Sequence, residues 1–195
     1  MLDTNIILIG PSGTGKTTLA KLLGEALDLP WLELDDLRKE YYTEIGYDNA
    51  VAQQRFMESG MKAMVDYWKP FEIYSVERML EDYPTNHILA FGAGQSVYDD
   101  PAYAERAQQA LDPYPYVILL LPSPDVDESV FILHERMRLG FPDFPPEAAA
   151  QMDEMNRYFI EHPSNARLAK FTFYTAGKSS AETCAEVLNA LQLAR

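Results

Sequence analysis

The sequence predicts an α/β protein: a five-stranded parallel sheet in a three-layer sandwich with helices on both faces. Three observations lead there. Short apolar, β-branched runs recur five times along 195 residues and alternate with stretches of helical periodicity. One run, Tyr116 to Leu121, is almost continuously apolar, as a strand covered on both faces must be. The strands also close on glycine, acid, proline or small residues, the chemistry of the ligand-facing carboxyl ends of such sheets.

The elements follow in order. Ile6-Ile7-Leu8-Ile9 is a buried-strand run closing on Gly10, and Thr17 to Leu27 spaces Leu19, Leu22, Leu23 and Leu27 as a helix does. Pro30 stops that helix, and Trp31-Leu32-Glu33-Leu34 reads as the second strand, ending at Asp35-Asp36. Residues 37 to 83 are mostly helical. Met57, Met61, Met64, Val65 and Trp68 share one face and are expected to form a core-facing or domain-packing stripe rather than a cofactor site, while Pro70 and Pro84 bound a further helix. His87 to Phe91 is the third strand and closes on Gly92-Ala93-Gly94. Pro101 to Leu111 is helical, Tyr116 to Leu121 is the fourth strand, and Asp125 to Leu139 is helical. Gly140 to Pro146 reads as a loop, Glu147 to His162 as a helix and Phe171 to Thr175 as the fifth strand. Ser179, three residues before Glu182, forms a capping-box start for the last helix. Cys184 on that helix reads as a small core hydrophobe.

Composition narrows the function. Sixteen Lys and Arg against thirty Asp and Glu leave a net charge of −14, which opposes general binding to nucleic acid or to an anionic membrane. No apolar run approaches the roughly 18 residues of a membrane span, and the N-terminus lacks the basic region of a signal peptide. A single cysteine forms no internal disulfide, so a cytoplasmic setting is expected. His87, His134 and His162 are scattered without metal-ligand spacing.

The chemistry starts at Gly10-Pro11-Ser12-Gly13-Thr14-Gly15-Lys16-Thr17, a complete G-x-x-x-x-G-K-[ST] phosphate loop between a strand and a helix. Its glycines let backbone N–H groups surround an anion, and the helix dipole adds to that field. Lys16 is placed to reach the β- and γ-phosphates of ATP, and Thr17 to hold Mg²⁺ through its hydroxyl; Thr18 completes the nucleotide-binding set. No Asn-Lys-x-Asp string for guanine is present. No strand ends in the acid that motor-like ATPases carry. Asp35, at a strand end, suits the orientation of an acceptor hydroxyl, whereas Asp35 and Asp36 equally suit a helix cap.

Acids after the second strand, a Gly-Ala-Gly turn after the third, and Arg136 and Arg138 before a Gly/Pro loop together make the chain resemble the shikimate kinase family. That family lies within the nucleoside-monophosphate-kinase-like P-loop kinases. The resemblance is carried by Ile7 to Thr17, Leu32-Glu33-Leu34-Asp35 and Ile88 to Gly94. It implies one P-loop kinase domain over 1–195, with a helical acceptor-binding region at about 37–83 and a lid at about 136–150. It further implies that Asp35 holds the acceptor hydroxyl, that Glu33 supports Mg²⁺ through water, and that Gly92, Ala93 and Gly94 approach the substrate. One of Arg136 and Arg138 would stabilise the transferred phosphoryl group, and Gly177 and Lys178 would lie near adenine.

The acceptor pocket departs from the family. The family clamps a carboxylate with two arginines, one in Phe-Arg-x-x-Glu. Aligning on Glu77 places Tyr74 at that arginine, and Arg78 falls on another helical face. The second arginine belongs in Arg-x-Pro-x-Tyr, where this chain has Glu161-His162-Pro163, flanked by Arg157 and Arg167. Two readings follow: an ATP-dependent kinase of a small hydroxylated molecule other than shikimate, acting as a monomer or homodimer, or a nucleotide-binding regulator of the same fold without transfer.

Overall fold

The computed structural model describes residues 2–192. Five strands, β1 (Ile6–Ile9), β2 (Trp31–Glu33), β3 (Ile88–Ala90), β4 (Tyr116–Leu121) and β5 (Phe171–Tyr174), form one sheet in the order β2-β3-β1-β4-β5. Every pairing is parallel. The helices are α1 (Lys16–Leu27), α2 (Leu34–Glu44), α3 (Asn49–Asp82), α4 (Pro101–Leu111), α5 (Val126–Gly140), α6 (Pro146–Glu161), α7 (Pro163–Leu168) and α8 (Ser180–Ala190).

The alternation of side chains along the strands divides the core in two. Ile7, Ile9, Leu89, Phe91, Val117 and Leu119 pack with Leu34 and Tyr41 of α2, Ile73, Val76 and Met79 of α3, and Leu111 of α4. Ile6, Leu8, Ile88, Ala90, Ile118 and Leu120 pack on the other face with Leu19 and Leu23 of α1 and with Cys184, Val187 and Leu191 at α8. Cys184 is therefore a core residue, as its helical position predicts. The capping box at Ser179 and Glu182 is formed in both directions.

Three local expectations change. Pro70 does not end a helix: α3 runs through it, and the break in that segment is at Gly60, whose φ of 80° is a left-handed conformation. Burial of Phe71, Ile73, Val76 and Met79 against the sheet outweighs the one hydrogen bond a proline removes. The methionine stripe is core only in part: Val65 is buried, Met57, on the far side of the Gly60 break, is 77% exposed, and Met61, Met64, Val65 and Trp68 line a cavity. The short helix α7 had no distinct sequence signal beyond Pro163. Among the described residues, no helix is long and apolar enough to cross a membrane.

Candidate functional site

The carboxyl ends of the strands carry the site. The phosphate loop leaves β1 at Gly10, whose φ is 133°. A Cβ there would collide with the carbonyl oxygen of Leu120, so only glycine permits this passage beside β4. The Thr14 hydroxyl donates to the Pro11 carbonyl at 3.0 Å and braces the loop from within. Lys16 begins α1 and folds back, its Nζ donating to the carbonyls of Gly10 and Pro11, each at 2.8 Å. Burial lowers the Lys16 pKa to about 8, with Asp35 and Glu33 opposing that shift.

β2 passes into α2 without a loop, because Glu33 is at once the last strand residue and the N-cap. Asp35 therefore sits in the first turn of α2 rather than at a free strand end, and Asp35 and Asp36 both meet the positive end of the helix dipole. Glu33 turns its carboxylate to the Thr17 hydroxyl, which donates to Oε2 at 2.8 Å. Arg38 lies one turn beyond Asp35, with its guanidinium 3.5 Å from Oδ1.

The Gly-Ala-Gly turn is packed closely from behind. A Cβ on Gly92 would lie 2.6 Å from Asp35 Oδ1, and one on Gly94 would lie 2.5 Å from Glu72 Oε1. Glu72 and Lys69 are a buried ion pair on α3 at 2.6 Å, and Lys69 Nζ also donates to the Gly94 carbonyl at 3.0 Å. Burial holds the Glu72 carboxyl above its usual range, and the Lys69 ammonium offsets part of that shift.

Three hollows adjoin the loop. The first, ≈ 320 Å³, lies between Gly13 to Gly15, Arg136, Thr175, Lys178 and the start of α8. The second, ≈ 370 Å³, is lined by Ser12, Gly13, Gly15, Lys16, Thr17, Thr18, Glu33, Asp35 and the turn at Gly92 and Ala93. The third, ≈ 390 Å³, lies beyond Asp35 between α3, the Gly-Ala-Gly turn and α6. Ser12, Asp35, Gly92 and Ala93 line both the second and the third, so Asp35 stands where these two spaces meet.

The sequence-derived set is brought together unevenly. Lys16, Thr17, Thr18, Glu33, Asp35, Gly92, Ala93 and Gly94 all face these hollows. Arg136 does too: it donates to the Gly13 carbonyl at 3.2 Å and to the Thr175 hydroxyl at 3.1 Å, bridging loop and β5. Arg138 is instead bound by Glu135 on the same helix at 2.8 Å and lies on the exposed face. Lys178 lines the first hollow but pairs with Glu186, and Gly177 serves as an exposed turn with φ 70°. Pro11 contributes its carbonyl to the loop's internal bonds rather than its ring to a hollow.

Tyr74 does not stand where the sequence comparison puts it. Its hydroxyl donates to Glu44 at 2.6 Å, and Tyr74 is absent from the lining of the third hollow. Lys69 lies there instead. Trp68-Lys69-Pro70-Phe71-Glu72 preserves the order aromatic, base, two residues, acid of the family's Phe-Arg-x-x-Glu. The signal was legible, but aligning on Glu77 put the comparison one and a half helical turns too late. Arg38, Gln95 and Gln151, which also line this hollow, had no sequence signal.

The comparisons with known proteins bear on the fold. The family model described as ATPase family associated with various cellular activities (AAA) matches residues 6–68, the stretch from β1 into α3. The ATP-dependent protease ATPase subunit HslU of Thermotoga maritima is 32% identical over 89 residues, covering 46% of this chain and 18% of that protein. The chain thus spans under a fifth of the length of this relative. Among solved structures, shikimate kinase from Acinetobacter baumannii in complex with shikimate superposes with a TM-score of 0.63 at 21% identity, covering 97% of this chain and 93% of that one. A gluconokinase from Sinorhizobium meliloti 1021 gives 0.61 at 18% identity, over 98% and 94%. The chain has the fold of the P-loop small-molecule kinases, with a five-stranded parallel sheet and flanking helices.

Proposed function

We propose that this chain is an ATP-dependent phosphotransferase that moves the γ-phosphoryl group of ATP to a hydroxyl of a small molecule. The observation that carries this reading is the position of Asp35, shared by the phosphate hollow and the space beyond it. A group there orients one reactant against the other, which is most of what phosphoryl transfer requires of a protein.

The backbone N–H groups of Gly13 to Thr17 and the Lys16 ammonium receive the β- and γ-phosphates. Lys16 exchanges its carbonyl partners for phosphate oxygens as it does so. Thr17 Oγ1 and the Glu33 carboxylate are hard oxygen donors 2.8 Å apart, a set that fits Mg²⁺. When bound, Mg²⁺ supplies charge neutralisation on the phosphates. Arg136, held between the loop and Thr175 in the first hollow, adds positive charge on the nucleotide's side of the loop. Asp35 accepts the acceptor's hydroxyl proton. The acceptor oxygen forms a bond to Pγ while the bond from Pγ to the bridging oxygen breaks, its electron pair leaving with ADP. The products are a phosphate monoester, ADP and one proton.

The Asp35→Asn variant tests this assignment. It should keep ATP affinity within about twofold and lose turnover by roughly 100-fold or more, the usual range for a positioned base. Near-normal ADP release from that variant removes Asp35 from the chemistry.

A further inference from the structure

Two helical stripes line the space beyond Asp35. α3 contributes Met61, Met64, Val65 and Trp68 at helical spacing, and α6 contributes Met152, Met155 and Phe159 likewise. Phe144 adds an aromatic edge from the loop before α6. Methionines and aromatic rings in this proportion make a deformable apolar wall suited to a hydrophobic body rather than to a polyol.

The ionised groups in the lining reinforce this. There are four: Lys69 and Glu72 form a buried pair at 2.6 Å, and Arg38 lies 3.5 Å from Asp35 in a half-exposed pair. The space carries no net formal charge. Lys69 also donates to the Gly94 carbonyl, so a carboxylate placed against it would compete with two existing acceptors. A carboxylate that drew Lys69 away would leave the buried Glu72 carboxylate without its counter-charge, which is strongly unfavourable. Met61, Val65, Gln151 and Met155 also line a neighbouring hollow of ≈ 580 Å³, whose remaining wall is charged with Lys62, Asp66, Asp99 and Glu154, so the apolar body belongs in the space between the two stripes.

We infer that the acceptor is an uncharged alcohol carrying an aromatic or similarly sized apolar body, its hydroxyl at Asp35 and its body between the α3 and α6 stripes. This rests on the phosphotransferase reading above. The transfer is the one already balanced there, from ATP to the alcohol oxygen, with ADP and a proton released.

Matched probes test it: 3-phenylpropane-1,2-diol, the carboxylate 3-phenyllactate, and gluconate as a charged polyol. ADP release with Mg²⁺ and ATP reports transfer. Binding is read separately by tryptophan fluorescence in the Trp31→Phe variant, in which Trp68 in the cavity wall is the one remaining tryptophan. The expected result is tighter binding of the diol, and a kcat/KM at least about tenfold above either charged probe, as 1.4 kcal/mol of discrimination implies. Preference for gluconate or phenyllactate, with ADP released, overturns the inference and leaves the kinase intact. Binding of the diol without ADP release overturns the kinase reading, and the alcohol falls as acceptor with it. The Met64→Lys variant should shift preference toward phenyllactate by about tenfold, whereas Met64→Leu should not. If Met64→Lys does not fold, Gln151→Lys at an exposed position of the same wall makes the same test.

Discussion

Lys16 shows how one residue can register its ligand. Its ammonium is buried beside the loop carbonyls, and its pKa lies at about 8 in the nucleotide-free chain. A polyphosphate against it favours the charged form and raises that value. Between pH 8 and 9, ATP binding should therefore take up a proton, and affinity should fall as the pH rises through about 8. Calorimetry in two buffers of different ionisation enthalpy measures the uptake, and zero or negative uptake would place the phosphates away from Lys16. Glu72 gives a second pH signature. Its carboxyl is raised by burial, so the folded chain binds more protons than the unfolded one between the ordinary carboxylate value and the raised one, and stability falls as pH rises through that window. Lys69 offsets this in the native pair. The Lys69→Met variant should lose roughly 3 kcal/mol near neutral pH, as a buried charge without its partner does, and less as the pH is lowered, because burial favours the protonated Glu72 carboxyl. Thermal melts of both proteins at neutral and lower pH decide it. Lys69 and Glu72 are one helical turn apart, yet only burial makes their pairing consequential.

At the scale of elements, α8 is the most fully legible. Ser179 and Glu182 cap it reciprocally, as the spacing Ser-x-x-Glu predicts. Ser179→Ala should cost about 1 kcal/mol, or roughly 2–4 °C in Tm, without loss of helix content beyond the first turn. α3 is the least legible. Proline marked a boundary in the sequence, and glycine marked none, yet the chain breaks at Gly60 and continues through Pro70. A proline's local cost is modest beside the burial of a whole helical face, whereas a glycine has no Cβ to hold it in the helix. That break directs Met61 and the residues after it toward the cavity and leaves Met57 in solvent. The stripe's periodicity was visible; the destination of its face was not. The Arg136 and Arg138 pair divides in the same way. Two residues apart on α5, they point to different faces, and one reaches the phosphate loop while the other meets Glu135.

For the molecule as a whole, the net charge of −14 and the nucleotide's own negative charge have to be reconciled locally. Glu33 and Asp35 lie in the hollow beside Lys16, so under the proposed reaction a metal ion arrives with the nucleotide. Among the described residues, no cluster of three His, Cys, Asp or Glu side chains is arranged to hold a metal. Chelation with EDTA should accordingly leave the Tm of the nucleotide-free protein unchanged while abolishing ADP release. A large drop in Tm would reveal a structural metal instead. By itself the sequence determined the parallel sheet and the phosphate loop, because strand periodicity, glycine spacing and the Lys-Thr that opens α1 are written in contiguous residues whose geometry is local. The space beyond Asp35 was decided by tertiary structure. Its walls come from α2, α3, the turn after β3 and α6, far apart in the chain, and only their packing determines which charges are paired and which apolar faces remain open to a ligand.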